Sequence, residues 1–170
     1  LSVARENEID DSLGNCLMVV GELFLRRGEW KVAIGYFEEV LTIKSDVHIR
    51  CVIDCISGLV SIHAMLGNHE KCKELIEELI KELHDFTKDL GDYCQQFLWS
   101  CKIMYHMFIK DVETVRDLLS TYNPDFVHLV FWIDVPCITY ARALIFEGSK
   151  RNLGLAEEEL NKLDKMTSAQ

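Results

Sequence analysis

Seven cysteines and six histidines are the residues of this chain best suited to chemistry, and their spacing limits what they can do. Cys51 and Cys55 stand one helical turn apart with His48 nearby. A structural zinc site needs four converging ligands, usually held in short Cys-x-x-Cys knuckles, and the chain has no such knuckle. A cysteine nucleophile with a histidine base would be paired in space and not along the chain, so the abundance of both supplies candidates by chance alone. Nothing resembles a nucleophile elbow, a glycine-rich phosphate loop or a His-Glu-x-x-His helix. The acidic runs Glu38–Glu39, Glu77–Glu78 and Glu157 to Glu159 fall on the expected solvent faces of helices. The reading is therefore a chain that is not an enzyme and has neither catalytic residues, nor a metal site, nor a cofactor. The cysteines, Cys16, Cys51, Cys55, Cys72, Cys94, Cys101 and Cys137, are odd in number and scattered through helical patterns, which predicts reduced thiols in a cytoplasmic protein.

The elements that carry these residues read as helices throughout. From Glu70 to Leu83 the apolar residues Cys72, Leu75, Ile76, Leu79, Ile80 and Leu83 recur at i, i+3, i+4, i+7, i+8 and i+11, one stripe on an otherwise charged helix. The same periodicity predicts helices over Leu13 to Arg27, Trp30 to Ile43, Val47 to Leu66, Tyr93 to Ile109, Val112 to Thr121, Pro136 to Glu147 and Leu155 to Met166. About eight helices result, which group as four pairs. Breaks are expected at Gly28, Ser45–Asp46, Gly67–Asn68, Gly91, Asn123–Pro124 and Gly148, residue types that end or cap helices. The run Phe126 to Ile133 is too uniformly apolar to assign by period.

A chain of 170 residues, 49% apolar and 27% charged with two prolines, has the composition of one folded domain spanning 1–170. Its net charge of −10 argues against direct nucleic-acid binding, which draws affinity from clustered Lys and Arg. No apolar stretch approaches the roughly 18 to 20 residues of a membrane span, since even Phe126 to Ile133 stops at Asp134. Because the chain opens on Leu1 and an acidic segment, the opposite of a signal peptide, it reads as a piece of a longer protein.

The first helix pair carries Gly21, Phe24, Gly28, Trp30, Ala33, Phe37 and Val40, and in this it resembles the tetratricopeptide repeat. In that family a small residue on the first helix and an alanine on the second permit close backbone approach, while aromatics fill the space between. The second pair is in phase through Leu59, Val60, His63, Gly67, His69, Cys72, Ile76 and Leu79. In the fourth, Ala141, Leu144 and Gly148 are followed, after about three extra residues, by Ala156, Leu160 and Leu163. The third pair keeps only apolar positions, with Lys110 or Asp111 where a glycine is expected. The turn positions Gly28, Gly67, Lys110 and Gly148 are 39, 43 and 38 residues apart, longer than the roughly 34 of the standard repeat. The resemblance implies an all-α, right-handed superhelical array of antiparallel helix pairs, with His63, His69 and Cys72 at packing positions. Separately, Phe131 to Pro136 with Thr139, Ala141, Arg142, Leu144, Ile145, Glu147 and Gly148 is similar to the carboxy-terminal helical repeats of signal-transducing ATPases and maltose-activator-type regulators.

The family resemblance implies a protein-interaction module, a scaffold or adaptor that binds another protein or peptide on the concave face lined by the first helices. The register places Met18, Glu22, Leu25 and Arg26 there from the first pair and Ser57, Ser61, Ala64 and Met65 from the second. The third adds Met104, Met107 and Phe108, and the fourth Ile138, Arg142, Ile145 and Phe146. Methionine adapts to irregular partners, so such a face suits an amphipathic helix or apolar peptide; the same residues also serve as core if the array is tightly wound. The Lys and Asn clamp of chaperone-tail binders is absent, since Met18, Val19 and Gly58 occupy the matching positions. The second resemblance implies the alternative, a sensor segment of a signalling ATPase or transcription activator.

Overall fold

The computed structural model describes the backbone of residues 2–121 and 136–168, and the side chains of 12–84, 95–121 and 136–165. The run Phe126 to Ile133, the Asn123–Pro124 break, most of the Phe131 to Pro136 stretch and the Cys94 side chain lie outside them. Everything described is helical or turn: α1 (Ser2–Arg26), α2 (Trp30–Thr42), α3 (Ile49–Met65), α4 (His69–Phe108), α5 (Val112–Thr121), α6 (Pro136–Glu147) and α7 (Lys150–Ser168). None of these helices is long and apolar enough to cross a membrane. The two helices expected over 70–83 and 93–109 both lie within α4, which runs through Gly91 without a break. Glycine costs an interior helix position only about 1 kcal/mol, so it marks a helix end without imposing one.

The helix-to-helix turns repeat one another. Gly28, Gly67 and Gly148 have φ of 75°, 75° and 77°, and Lys110 joins them at 60°. At the first three turns in chain order two hydrogen bonds recur. Gly28 N donates to Leu25 O (3.0 Å) and Glu29 N to Phe24 O (2.9 Å); Gly67 N to Ala64 O (3.1 Å) and Asn68 N to His63 O (2.8 Å); Lys110 N to Met107 O (3.2 Å) and Asp111 N to His106 O (3.0 Å). This is the paired 5→2 and 6→1 closure that satisfies the last carbonyls of a helix and requires a left-handed residue. The fourth turn closes with the simpler bond from Gly148 N to Leu144 O at 3.2 Å. A non-glycine residue at Lys110 accepts steric cost because the next residue is well used: Asp111 caps α5, accepting from Thr114 N (3.1 Å) and Thr114 Oγ1 (2.7 Å), and lies 3.1 Å from His106 Nδ1.

The chain divides into two compact units, Leu1–Glu82 and Leu83–Gln170, with α4 common to both in sequence. In the first unit the Phe37 ring of α2 is fully buried between two glycines. A Cβ added at Gly21 of α1 would stand 2.5 Å from Phe37 Cε1, and one at Gly58 of α3 would stand 2.7 Å from Cε2. Glycine is present at both because the ring occupies the space that a methyl group would need. Ala33, also fully buried, occupies the small position expected on α2. Helix α3 is buried on all sides from Cys51 to Ile62, held by Cys51 Sγ to Asn15 Oδ1 of α1 (3.2 Å) and by Cys72 Sγ of α4 to Val60 O (3.5 Å). Lys44, before α3, reaches Glu78 Oε1 (3.0 Å) and Glu82 Oε1 (2.7 Å) of α4.

In the second unit Trp99 and Ile103 of α4, Val115 of α5, Tyr140, Ala143 and Leu144 of α6 and Ala156 of α7 form one buried cluster. Trp99 Nε1 donates to Leu118 O of α5 (3.0 Å), which gives the indole its polar partner. On α7 the inner face differs from the expected register. Glu159 is buried and bonded by Lys162 Nζ, whereas Leu160 is 46% exposed. Ala156, Glu159 and Leu163 at i, i+3 and i+7 therefore face inward, so the acidic run 157–159 is a solvent face only at Glu157 and Glu158. Similarly Glu78 is half-buried beside Lys44, and Ile80 of the α4 stripe is exposed.

Candidate functional site

The residues expected to line a concave face divide by depth. In the first unit Met18, Ser57, Ser61 and Ala64 are buried and belong to no open surface, and Ser61 Oγ closes onto Ser57 O at 2.9 Å. The cause is visible in α3 itself. Between Arg50 and His63 only Asp54 is charged, and a helix apolar nearly all round has no solvent face. Glu22 and Leu25 are half-buried, Arg26 and Met65 exposed, and Arg26 Nε donates to Glu22 Oε1 at 2.8 Å. The second unit keeps more of the expected face open. Met104, Met107, Ile138 and Phe146 are half-buried, Arg142 is exposed, and Phe108 and Ile145 are 43% and 50% exposed. Met107 and Phe146 rest against the same core cluster, and Phe108 and Ile145, next to them in sequence, are exposed.

Among the described residues, no group of three or more His, Cys, Asp or Glu side chains is placed to hold a metal ion. Burial, then the charge of Asp54, raises the Cys55 thiol far above its ordinary range, and burial pushes Cys72 up to about 11. Such thiols stay protonated, and the thiolate is the form that ligates or attacks. Burial also lowers His63, with the charge of Lys71 acting the same way. His69 is exposed and His63 half-buried, so of the three expected packing residues only Cys72 sits inside.

The second unit holds a recess of about 430 Å³ between α5, α6 and the start of α7. Glu147, the last residue of α6, organises its wall. The side chain is only 5% exposed, and it accepts from Arg116 Nε (2.9 Å), Ser149 N (2.9 Å) and Asn152 Nδ2 (2.9 Å). The hydrogen bonds from Ser149, followed by that from Arg116, depress its carboxyl to about 2. Ser149 in turn caps α7, its Oγ accepting from Asn152 N at 3.3 Å. Leu119, Leu144 and Leu155 give the recess an apolar lining, and Ser120, Tyr140 and Arg151 also line it. The sequence named Leu144 as a packing position and Glu147 within the second resemblance, but joined neither to Arg116, Tyr140, Ser149, Arg151 or Asn152. Ser149 was the available signal, a capping residue just after Gly148, and it would have placed the start of α7 at Lys150 and not near Leu155.

Compared with protein-family models, with curated proteins and with solved structures, the chain matches none.

Proposed function

We propose that this chain is a helical-repeat protein-interaction module, a scaffold or adaptor built as a right-handed array of antiparallel helix pairs in the manner of the tetratricopeptide repeat. The repeat reading is supported by the recurrent turn, three times closed by the same two hydrogen bonds at intervals near forty residues. Small residues where helices approach, Gly21, Ala33 and Ala156, support it as well. The observation that carries the binding reading is the exposure of large apolar side chains in the second unit. Phe108 and Ile145 are large, exposed and adjacent to Met107 and Phe146, which pack on one cluster. Exposed apolar groups on rigid helices, beside adaptable methionines, suit the apolar face of an amphipathic helix.

The test is a double variant, Phe108→Glu with Ile145→Glu, in which both side chains already meet solvent and folding is preserved. Amphipathic helical peptides selected for binding to the parent should lose at least roughly ten-fold in affinity for the variant, the scale of a central interface residue. Peptides that bind parent and variant equally would refute the assignment of this face.

A further inference from the structure

The first turn of α7 is charged against its own dipole. A helix N-terminus carries a partial positive charge and favours acidic residues, yet α7 opens with Lys150 and Arg151 and has no acid in its first turn. In a chain of net charge −10, two cations at that place oppose both the local field and the composition. Arg151 makes no ion pair among the described residues, and it lines the recess beside Arg116. Arg116 spends only its Nε on Glu147, which leaves the outer fork of the guanidinium without a protein partner among the described residues. With Glu147 counted, the lining carries one positive charge in excess.

A second, independent observation points into the same space. Tyr140 is nine-tenths buried and lines the recess, and among the described residues nothing hydrogen-bonds to its hydroxyl. The ring is enclosed while the hydroxyl oxygen itself is not, so this donor is open to a ligand. Burial, and then the charge of Glu159, raises this hydroxyl above its ordinary value, so it remains a donor and cannot itself supply the missing negative charge. On the recess lining itself the groups without partners are donors, two guanidinium forks and a phenol, above three leucines, while the unbonded Oε2 of Glu159 is buried off the lining.

We propose that this recess binds a small aliphatic monocarboxylate, its carboxylate held by Arg116, Arg151 and the Tyr140 hydroxyl and its hydrocarbon body against Leu119, Leu144 and Leu155. A planar carboxylate matches the guanidinium fork, and a single negative charge matches the single excess positive one. Phosphate brings a second charge that Glu147 would oppose, and it makes no use of the leucines. The volume lies toward the small end of the roughly 300 to 1,000 Å³ of ligand pockets, which favours a free small molecule over a bound length of peptide. This inference is independent of the Phe108 and Ile145 surface, and the variants that test it leave both residues in place.

The experiment titrates the isotope-labelled chain with 4-methylpentanoate, with 4-methylpentanamide and with inorganic phosphate, following amide and methyl resonances. The acid should give saturable shifts at the amides of Ser149 to Asn152 and the methyls of Leu119, Leu144 and Leu155, and the uncharged amide should give none. Arg151→Gln, at an exposed position that folding does not need, should weaken the acid about ten-fold, as expected for loss of one charged hydrogen bond. Tyr140→Phe keeps the ring in the core and should weaken it about five-fold, nearer a neutral hydrogen bond. The proposal is overturned if no saturable shift appears, or if the amide binds as tightly as the acid. Phosphate binding tighter than the acid, or equal affinity in Arg151→Gln and the parent, overturns it too.

Discussion

Replacing Gly21 by alanine tests the packing of the first unit more sharply than any large substitution, because only one methyl group is added. In the middle of a helix, alanine is favoured over glycine by about 1 kcal/mol, so in open space the change stabilises. At Gly21 the new Cβ would stand 2.5 Å from Phe37 Cε1 and 2.8 Å from Cδ1. The ring cannot retreat, since Gly58 approaches its other edge with an equally small clearance. Overpacking of a filled core costs about 1 to 3 kcal/mol, and a rigid ring held from two sides belongs at the upper end. The net expectation is destabilisation of about 1 to 2 kcal/mol. Gly35 of α2 is the control, exposed with nothing within 4 Å of an added Cβ, so Gly35→Ala should stabilise by up to about 1 kcal/mol. Urea unfolding followed by circular dichroism reads both, and the two midpoints should move in opposite directions. Adding Phe37→Leu to Gly21→Ala should recover part of the loss, a coupling of at least about 0.5 kcal/mol expected of residues in contact. If Gly21→Ala proves as stabilising as Gly35→Ala, the ring is not clamped and the helix approach described here is wrong.

Two other outcomes follow from the turns and from Glu147. Lys110→Gly should raise stability by about 1 kcal/mol in the same denaturation assay, because glycine pays no Cβ penalty at φ of 60° while Asp111 still caps α5. An unchanged midpoint would show that Lys110 is not held in the left-handed conformation. Glu147 has a carboxyl depressed from 4.5 to about 2, so the stability it contributes is present above about pH 4.5 and is lost as pH falls through about 2. In Glu147→Gln the thermal midpoint should be lower than the parent's at neutral pH, and the gap should close between about pH 4.5 and 2. A gap independent of pH would mean that the carboxylate charge is not what Arg116, Ser149 and Asn152 stabilise.

Much of this architecture was legible in the sequence, and the reasons are local. Turns at Gly28, Gly67 and Gly148 are written in the one residue type that adopts positive φ freely, and the equivalent place at Lys110 followed from phase alone. The contact residues Gly21, Ala33 and Phe37 could be read because a small residue one helix away from a large ring is a packing statement in itself. What failed was depth. Period shows which side of a helix is apolar, but not how many neighbours surround it, so Ser57 and Ser61 of α3 were expected on a face and lie inside. The run from Cys51 to Ile62, with a single charge, held the correction, since a helix without a polar side must be central. On α7 the register was drawn through Leu160, which hydrophobicity prefers inside. The fold instead buries Glu159, with Lys162 one turn on to bond it.

The recess of the second unit was invisible for a different reason. Its polar parts lie at 116, 120, 140, 147, 149, 151 and 152, and no short motif joins them, because the constellation exists only where α5 meets the turn between α6 and α7. Glu147 read as the end of one helix and as part of the second resemblance, and Arg151 was not singled out. Each is unremarkable alone, and their meaning lies in what they leave over when brought together. Glu147 is satisfied three times and consumes one edge of Arg116, while Ser149 consumes the α7 cap. Donors then remain at Arg116, Arg151 and Tyr140 with no acceptor on the recess lining bonded to them. A structural network would be expected to close on itself, as Asp111 does with Thr114 and His106 at the equivalent turn one pair earlier. Two turns that share a positive φ thus serve different ends in one chain: at Lys110 the polar groups saturate each other and fix a helix start, and at Gly148 they leave an excess of positive charge facing a cavity.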